Sequence, residues 1–409
     1  MRPGRVAVAA VVGACALLGP GALPPPAGAV ATAATSVTCP GVVAPLTPAQ
    51  SDQVWSTASR RLSALTGPAS LPFGATGRSR YVRTNAYAWT SGFFPSSLWL
   101  MYARTKDRVW LDRARRYTAR VLPVATWTGT HDLGFMVGLP ARLGMGLDPS
   151  SARQEAYARA ILTAARSLST RWSDQVRALR SGTYGGKWGV IIDSAMNASL
   201  LIDAALILGG AEGRELTSRG TEHLLTLARV FVRPDGSTVH RMAFDPVSGK
   251  AIGPVPGQGL STASTWARGQ AWAVNGFARG YRLTRNEQLL DAARRTADFW
   301  IARVPSGCIP AWDLDIADSA APRDSSAAAI MADGLLGLAE VDPDRTRATA
   351  YRDYANATLG TLASAPWVPT GPGTRGLLQR QAYSIPGDRR EGTYVWGDTY
   401  LLGALSTIG

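Results

Sequence analysis

A chain of 409 residues with 46% hydrophobic side chains has enough apolar material for a large core, which excludes global disorder. The formal charge of +14 rests on arginine, since Lys106, Lys187 and Lys250 are the only lysines. No basic block is interleaved with aromatic residues; that argues against a nucleic-acid partner and leaves arginine-rich composition or attraction of an anionic substrate to explain the charge.

Arg2 and Arg5 precede an apolar run from Val6 to Leu23, followed by three prolines and Ala27-Gly28-Ala29, an A-x-A cleavage pattern. Residues 1–29 therefore read as a secretory signal, and the protein is expected outside the cell. A lipoprotein pattern at Cys15 is fainter, because the apolar run continues past it. No later segment has enough consecutive apolar residues for a membrane span. Residues 30–47 are small, polar and proline-containing and read as a linker; 48–409 form the folded domain. Once the signal is removed, Cys39 and Cys308 remain, a possible bridge between the N-terminal arm and the body. With only His131, His223 and His240 and no cysteine cluster, a transition-metal site is not expected.

Segments of helical period follow near 48–65, 92–104, 107–121, 133–144, 150–170, 193–209, 213–231, 266–283, 286–303, 325–340, 343–363 and 397–408. Short extended pieces are expected at Lys187–Ile191 and Ser237–Phe244. One pattern occurs twice without gaps, 179 residues apart: Tyr102, Thr105-Lys106-Asp107, Leu111-Asp112 and Arg115-Arg116 recur as Tyr281, Thr284-Arg285-Asn286, Leu290-Asp291 and Arg294-Arg295. It reads as a helix end, a tight turn and a second helix with Leu inward and Arg outward. Helix hairpins of this kind bury their apolar faces by stacking. The expected fold is all-α, six hairpins closed into an (α/α)6 barrel, with an open solenoid as the alternative.

The same shift brings Trp89 and Phe93 onto Arg268 and Trp272, each pair on one helical face. Asp193 follows the apolar stretch Val190-Ile191-Ile192; burial there favours its protonated form and suits a general acid, whereas the plain alternative is a helix N-cap. Asn197 lies one turn on. Asp132 beside His131 carries the same ambiguity. Arg268 with Trp272 either binds a substrate carboxylate or forms a core ion pair. Asp313, Asp315, Arg323 and Asp324 read as structural, with Asp324 starting a helix and Arg323 pairing with a carboxylate; Asp398 reads as a cap for the last helix. The 13 tryptophans exceed the 8 phenylalanines and serve as core residues or as sugar-stacking surfaces.

Together W-T-S-G-F-F-P from Trp89, H-D-L-G-F from His131, I-I-D-S-A-M-N around Asp193, D-G-S-T-V-H ending at His240, S-T-W-A-R-G-Q-A-W around Arg268, P-A-W-D-L-D through Asp315 and R-D-S-S-A-A-A-I from Arg323 resemble, in order, the unsaturated glucuronyl hydrolases, glycoside hydrolase family 88. The resemblance implies an (α/α)6 barrel that acts on lyase-generated oligosaccharides of glycosaminoglycan type, hydrating the C4=C5 bond of the terminal unsaturated uronic acid. It implies that Asp193 protonates C4 and helps deprotonate water, that Asp132 is the second essential carboxylate, and that Trp89, His131, His240, Gln258, Arg268 and Trp272 line the substrate pocket. It implies no metal, no organic cofactor and an anionic oligosaccharide as partner; the chain is separately expected to be a monomer. The chain departs from the family pattern at Leu377–Arg380 and Tyr383–Pro386, where a histidine is usual; Arg380, Arg389 and Arg390 there are expected to favour a more anionic leaving sugar. The related unsaturated rhamnogalacturonyl hydrolases of family 105 match the Trp266–Trp272 and Arg323–Ala328 segments less well; a non-catalytic glycan-binding module and a lyase are further alternatives, and an (α/α)6 sugar epimerase, which relies on histidine pairs, is disfavoured by only three histidines.

Overall fold

In the computed structural model, residues 44–76, 80–371, 373–384 and 390–408 are described; the expected signal segment 1–29 and most of the expected linker lie outside them. Among the described residues there are twelve α-helices: α1 (Pro48–Leu65), α2 (Phe93–Thr105), α3 (Arg108–Val121), α4 (Leu139–Leu147), α5 (Ser151–Ser169), α6 (Ser194–Leu208), α7 (Gly210–Val230), α8 (Ala267–Thr284), α9 (Glu287–Arg303), α10 (Ser325–Val341), α11 (Arg345–Leu362) and α12 (Val395–Ile408). None is long and apolar enough to cross a membrane.

The repeated pattern encodes two turns of identical construction. Lys106 and Arg285 take left-handed conformations, φ 56° and 55°, and end α2 and α8 by donating to Tyr102 O and Tyr281 O. Asp107 and Asn286 then cap the next helices through Val109 N and Gln288 N. Arg115 on α3 pairs with Asp148, and Arg294 on α9 with Asp342, in each case bridging to the following hairpin. The repeat thus specifies both the hairpin and its docking onto the next.

Helices α2, α4, α6, α8, α10 and α12 form an inner ring in which α12 returns to α2, so the hairpins close into a barrel. The inner helices α6, α8, α10 and α12 are buried on most faces, while α3, α5, α7, α9 and α11 pack outside with polar residues to solvent. Closure is the six-hairpin fold expected from the helix period, not the open solenoid.

One helix departs from expectation. The 133–144 segment opens as a π-helical turn, Gly134–Gly138, before α4 starts. Pro140 has no N–H to offer Met136, which interrupts the α-ladder there. Gly134 also abuts α6; a Cβ at that position would lie 2.7 Å from Asn197 Cα. Widened turns of this kind aim side chains at functional sites.

The strands are more numerous than the sequence suggests, because most are too short to show a period. Strands β1 (Leu71–Thr76) and β2 (Val82–Thr84) join β9 (Gln381–Ala382) and β10 (Glu391–Tyr394) in the order β2-β1-β10-β9. A two-stranded pair holds β3 (Trp172–Ser173) and β4 (Ala178–Leu179). The third sheet is β5 (Gly182–Tyr184), β6 (Lys187–Ile191), β7 (Arg241–Phe244) and β8 (Ala251–Pro254), antiparallel throughout. Its central pair realises the two expected extended pieces. Cys308 is buried and disulfide-bonded, while Cys39 lies outside the described residues.

Candidate active site

Antiparallel pairing of β6 and β7 creates the site. Ile191 lies opposite Arg241, and Ile192 N donates to His240 O at 3.0 Å, so the end of one strand and the start of the other deliver Asp193 and His240 to the same edge. Asp193 occupies the N-cap position of α6, yet its side chain makes no capping hydrogen bond, and Oδ1 is buried without a partner. The N-cap reading therefore gives way to the acid. Burial pushes the Asp193 carboxyl up to about 7, with Arg268 opposing and the Asp132 charge adding to the shift.

The turn that carries Asp193 is locked from behind by a residue that sequence reasoning did not use. His223 accepts from Leu179 N at Nδ1, 3.0 Å, so Nε2 bears the proton and donates to Ser194 Oγ at 2.9 Å; Ser194 Oγ in turn donates to Ile191 O at 2.5 Å. Burial holds His223 neutral, down to about 3. Only its position on α7, against the turn, reveals this, and no local motif marks it.

Asp132 faces Asp193 from the turn before the π-helical segment. It accepts from Thr130 Oγ1 at 3.3 Å and from Asn197 Nδ2 at 3.4 Å, and His131 Nε2 stands 3.6 Å away. Asn197 also reaches Asp193 O at 3.4 Å and accepts from Phe135 N at 3.0 Å, coupling both carboxylate-bearing turns. Burial lowers the His131 pKa despite Asp132, which favours the neutral ring.

His240 is buried against Trp266, ring centroids 4.3 Å apart. Its Nδ1 accepts from Gln258 N at 2.7 Å, and burial keeps the ring well below its ordinary pKa, so Nε2–H is left as a buried donor without a partner. Gln258 is drawn into the mouth and donates to Tyr383 O at 2.8 Å. Trp89 is half-buried on the rim, 5.1 Å from Trp396.

Two of the expected pocket residues are enclosed. Arg268 is 1% exposed and pairs at 2.7 Å with Asp324, itself fully buried; its remaining Nη contacts are the carbonyls of Ala382 and Tyr383. The core ion pair expected as the alternative is the one formed, because β9 brings carbonyls onto the guanidinium; only Nε is unpartnered. Trp272 is likewise 1% exposed, wedged between Phe135 and Tyr400 with both centroids 5.1 Å away. It forms the floor beneath the site rather than an open stacking face. On the far side of that floor, a cavity of about 260 Å³ opens at the opposite ends of the inner helices, lined by Arg142, Asp203, Arg279 and Asp333.

Other assignments also shift. Arg323 forms no ion pair with a carboxylate among the described residues and donates to Ser319 O instead, while Asp324 caps α10 through Ser326 N and Ala327 N, as expected of a helix start. Asp398 caps nothing in its own helix: it accepts from Leu377 N and Leu378 N, pinning the loop before β9, and burial raises it to about 7. Arg380 is held by both oxygens of Glu391, so its charge is matched inside the chain. Asp313 and Asp315 are structural as expected, binding Leu260 N and Thr265 N.

The buried side-chain atoms without partners among the described residues include His131 Nδ1, Asp193 Oδ1, His240 Nε2, Arg241 Nε and Arg268 Nε, all at this mouth. Native interiors rarely leave such groups unsatisfied, and their convergence marks a polar ligand site. A protonated carboxyl beside a second carboxylate, with neutral imidazoles around them, is suited to proton transfer to and from a sugar ring.

No protein-family model matches the chain. An unsaturated glucuronyl hydrolase of Formosa agariphila is 34% identical over 328 residues, 78% of this chain and 79% of the relative. The chain belongs to the unsaturated glucuronyl hydrolases. The unsaturated glucuronyl hydrolase of Bacillus sp. (strain GL1) is 33% identical over 82% of this chain and 89% of the relative, and a crystal structure from that organism aligns with TM-score 0.80 over 88% of this chain and 96% of that one. A Streptococcus agalactiae unsaturated glucuronyl hydrolase mutant complexed with dGlcA-GalNAc6S is 26% identical, TM-score 0.74, over 89% of this chain and 93% of that one.

Proposed function

We propose that the protein removes the 4,5-unsaturated uronic acid from the non-reducing end of lyase-generated, glycosaminoglycan-type oligosaccharides by hydrating the C4=C5 bond. The observation that carries the reading is Asp193: a carboxyl raised to about 7, with a buried, unpartnered Oδ1, next to Asp132. The C4=C5 bond is an enol ether, electron-rich at C4. Asp193 donates its proton to C4, and the positive charge that develops at C5 is shared with the ring oxygen. Water adds at C5 and gives a proton back to the Asp193 carboxylate. The resulting hemiketal opens and releases the leaving sugar, with Asp193 again protonated. Asp132, held by Asn197 and Thr130, orients the water and balances the transient charge. Neutral His131 and His240 offer uncharged hydrogen-bonding groups, which leave the Asp193 proton in place.

The glycosaminoglycan preference draws support from the Streptococcus agalactiae relative complexed with dGlcA-GalNAc6S. The test is loss of the ultraviolet absorbance of the conjugated uronate when purified protein meets unsaturated chondroitin or hyaluronan disaccharides. Turnover that disappears in Asp193→Asn is the expected result; binding without any turnover would make the protein a glycan-binding module instead. Export is part of the proposal, resting on Arg2, Arg5, the apolar run and Ala27-Gly28-Ala29; N-terminal sequencing of protein from the medium should begin after residue 29. Every site residue comes from a single chain, which supports a monomer, and light scattering tests it.

A further inference from the structure

Two guanidiniums among the described residues, Arg268 and Arg241, act on Asp193, and their situations differ. Arg268 is enclosed, its Nη atoms occupied by Asp324 and two carbonyls. Arg241, the first residue of β7 and the neighbour of His240, is only partly buried. It has no ion-pair partner among the described residues. One Nη atom donates to Pro256 O at 3.3 Å, and Nε is buried without a partner. Its guanidinium lies over the Tyr184 ring, 4.7 Å from the centroid. That platform is itself seated by Gly189 on β6, where a Cβ would fall 2.3 Å from the tyrosine ring. A stacked guanidinium loses little further freedom on forming a forked hydrogen-bond pair.

Arg241 faces the reacting groups. Strand pairing sets it opposite Ile191, two residues before Asp193. Its charge is felt by Asp193, His131 and His240 alike. The uronate that Asp193 would protonate carries its carboxylate on the neighbouring ring carbon, so that anion must lie within the same mouth. Sulfated sugars would bring a second kind of oxyanion to the same space.

We infer that Arg241 is the residue that receives an oxyanion of the substrate, presenting its unpartnered guanidinium edge from the Tyr184 platform. The inference rests on the proposed hydrolase reading, and it assigns Arg241 to binding rather than to proton transfer. Two oxyanions share this chemistry, the uronate carboxylate and a sulfate ester, and two substrates separate them.

The test compares wild type, Arg241→Gln and Arg241→Lys on an unsulfated and a 6-sulfated unsaturated chondroitin disaccharide, with calorimetric binding of the same sugars alongside turnover. Arg241→Gln should raise KM by about 30-fold or more with a much smaller change in kcat, and Arg241→Lys should recover part of the loss. Equal losses on both sugars identify the carboxylate; a loss confined to the sulfated sugar identifies the ester. Turnover with unchanged KM and unchanged binding in Arg241→Gln overturns the inference and leaves the hydrolase reading intact. Binding that depends on Arg241 without turnover in the wild type does the reverse. A wild-type protein that neither binds nor converts either sugar overturns both.

Discussion

Asn197 on α6 donates to Asp132 across 3.4 Å, which ties the carboxylate on the turn before α4 to the helix that Asp193 begins. The oxygen of that amide accepts from Phe135 N at 3.0 Å, so one side chain sets the spacing of both acidic turns. Asn197→Leu should cost about 1–3 kcal/mol, since it leaves the buried Phe135 N–H unsatisfied. It should also lower kcat far more than it raises KM. Thermal melts and steady-state kinetics check both; unchanged kcat would remove Asn197 from the positioning role.

Activity should have a basic limit set by Asp193. The acid form is the donor, and its pKa of about 7 means the donor is lost as pH rises through that value. A plot of log kcat/KM against pH should fall with unit slope above about 7. Asp132→Asn removes a charge that helps raise Asp193, so its residual activity should show the limb displaced to lower pH. A limb that does not move would show the two carboxylates to be uncoupled.

Stability should respond to buried acids in the opposite sense from ordinary ion pairs. Asp333 is raised to about 6, mainly by burial, with Asn275 Nδ2 donating to it at 2.7 Å. Its folded pKa lies above the unfolded value, so the folded state holds the proton longer. The stability it contributes is complete below about 4 and is lost as pH rises through about 6. Asp333→Asn should therefore stabilise the protein at pH 8 by about 1–2 kcal/mol and do little at pH 4. Asp333 lies beyond the Trp272 floor, so kcat should not change. Chemical denaturation at the two pH values decides it.

Breaking the Arg268–Asp324 pair should be severe. Both side chains are essentially inaccessible, and Arg268→Met leaves a buried carboxylate uncompensated. A loss of about 3–5 kcal/mol is expected. Asp324→Leu added to Arg268→Met should recover part of that stability but not the activity, because Tyr383 and the β9 edge lose their anchor. Full recovery of turnover in the double variant would show that this anchor is not needed for activity.

Space around His240 offers a milder probe. A Cβ on Gly257 would fall 2.1 Å from His240 Nδ1, so Gly257→Ala must push the imidazole or the Gln258 N–H aside. Substrate binding should weaken by about tenfold while the melting temperature stays within a few degrees. Intact affinity would show that the His240 position is not critical.

Much of the scaffold was legible from residue order. Lys106-Asp107 and Arg285-Asn286 announce a helix stop and a helix start within two residues, because left-handed ends and Asx caps are made by neighbours in the chain. The twelve helices follow from period, and the Asp132 and Asp193 motifs were identifiable as acids of uncertain role. The π-helical turn at Gly134–Gly138 was not, since its cause is partly the approach of Asn197 from another hairpin.

The sequence by itself determined the helices, their caps, the repeated hairpin and the segments that carry the acids, because hydrogen bonds within a turn and apolar periodicity are local. Only the tertiary structure decided which reading of each ambiguous residue holds. Asp193 is uncapped and desolvated because β6 ends against β7; Arg268 is paired because α10 and β9 converge on it; Asp398 grips a loop twenty residues away; Arg241 is left with a free guanidinium edge at the mouth. A buried charge takes its pKa and its partner from whatever surrounds it in space, and those surroundings come from segments far apart in the chain.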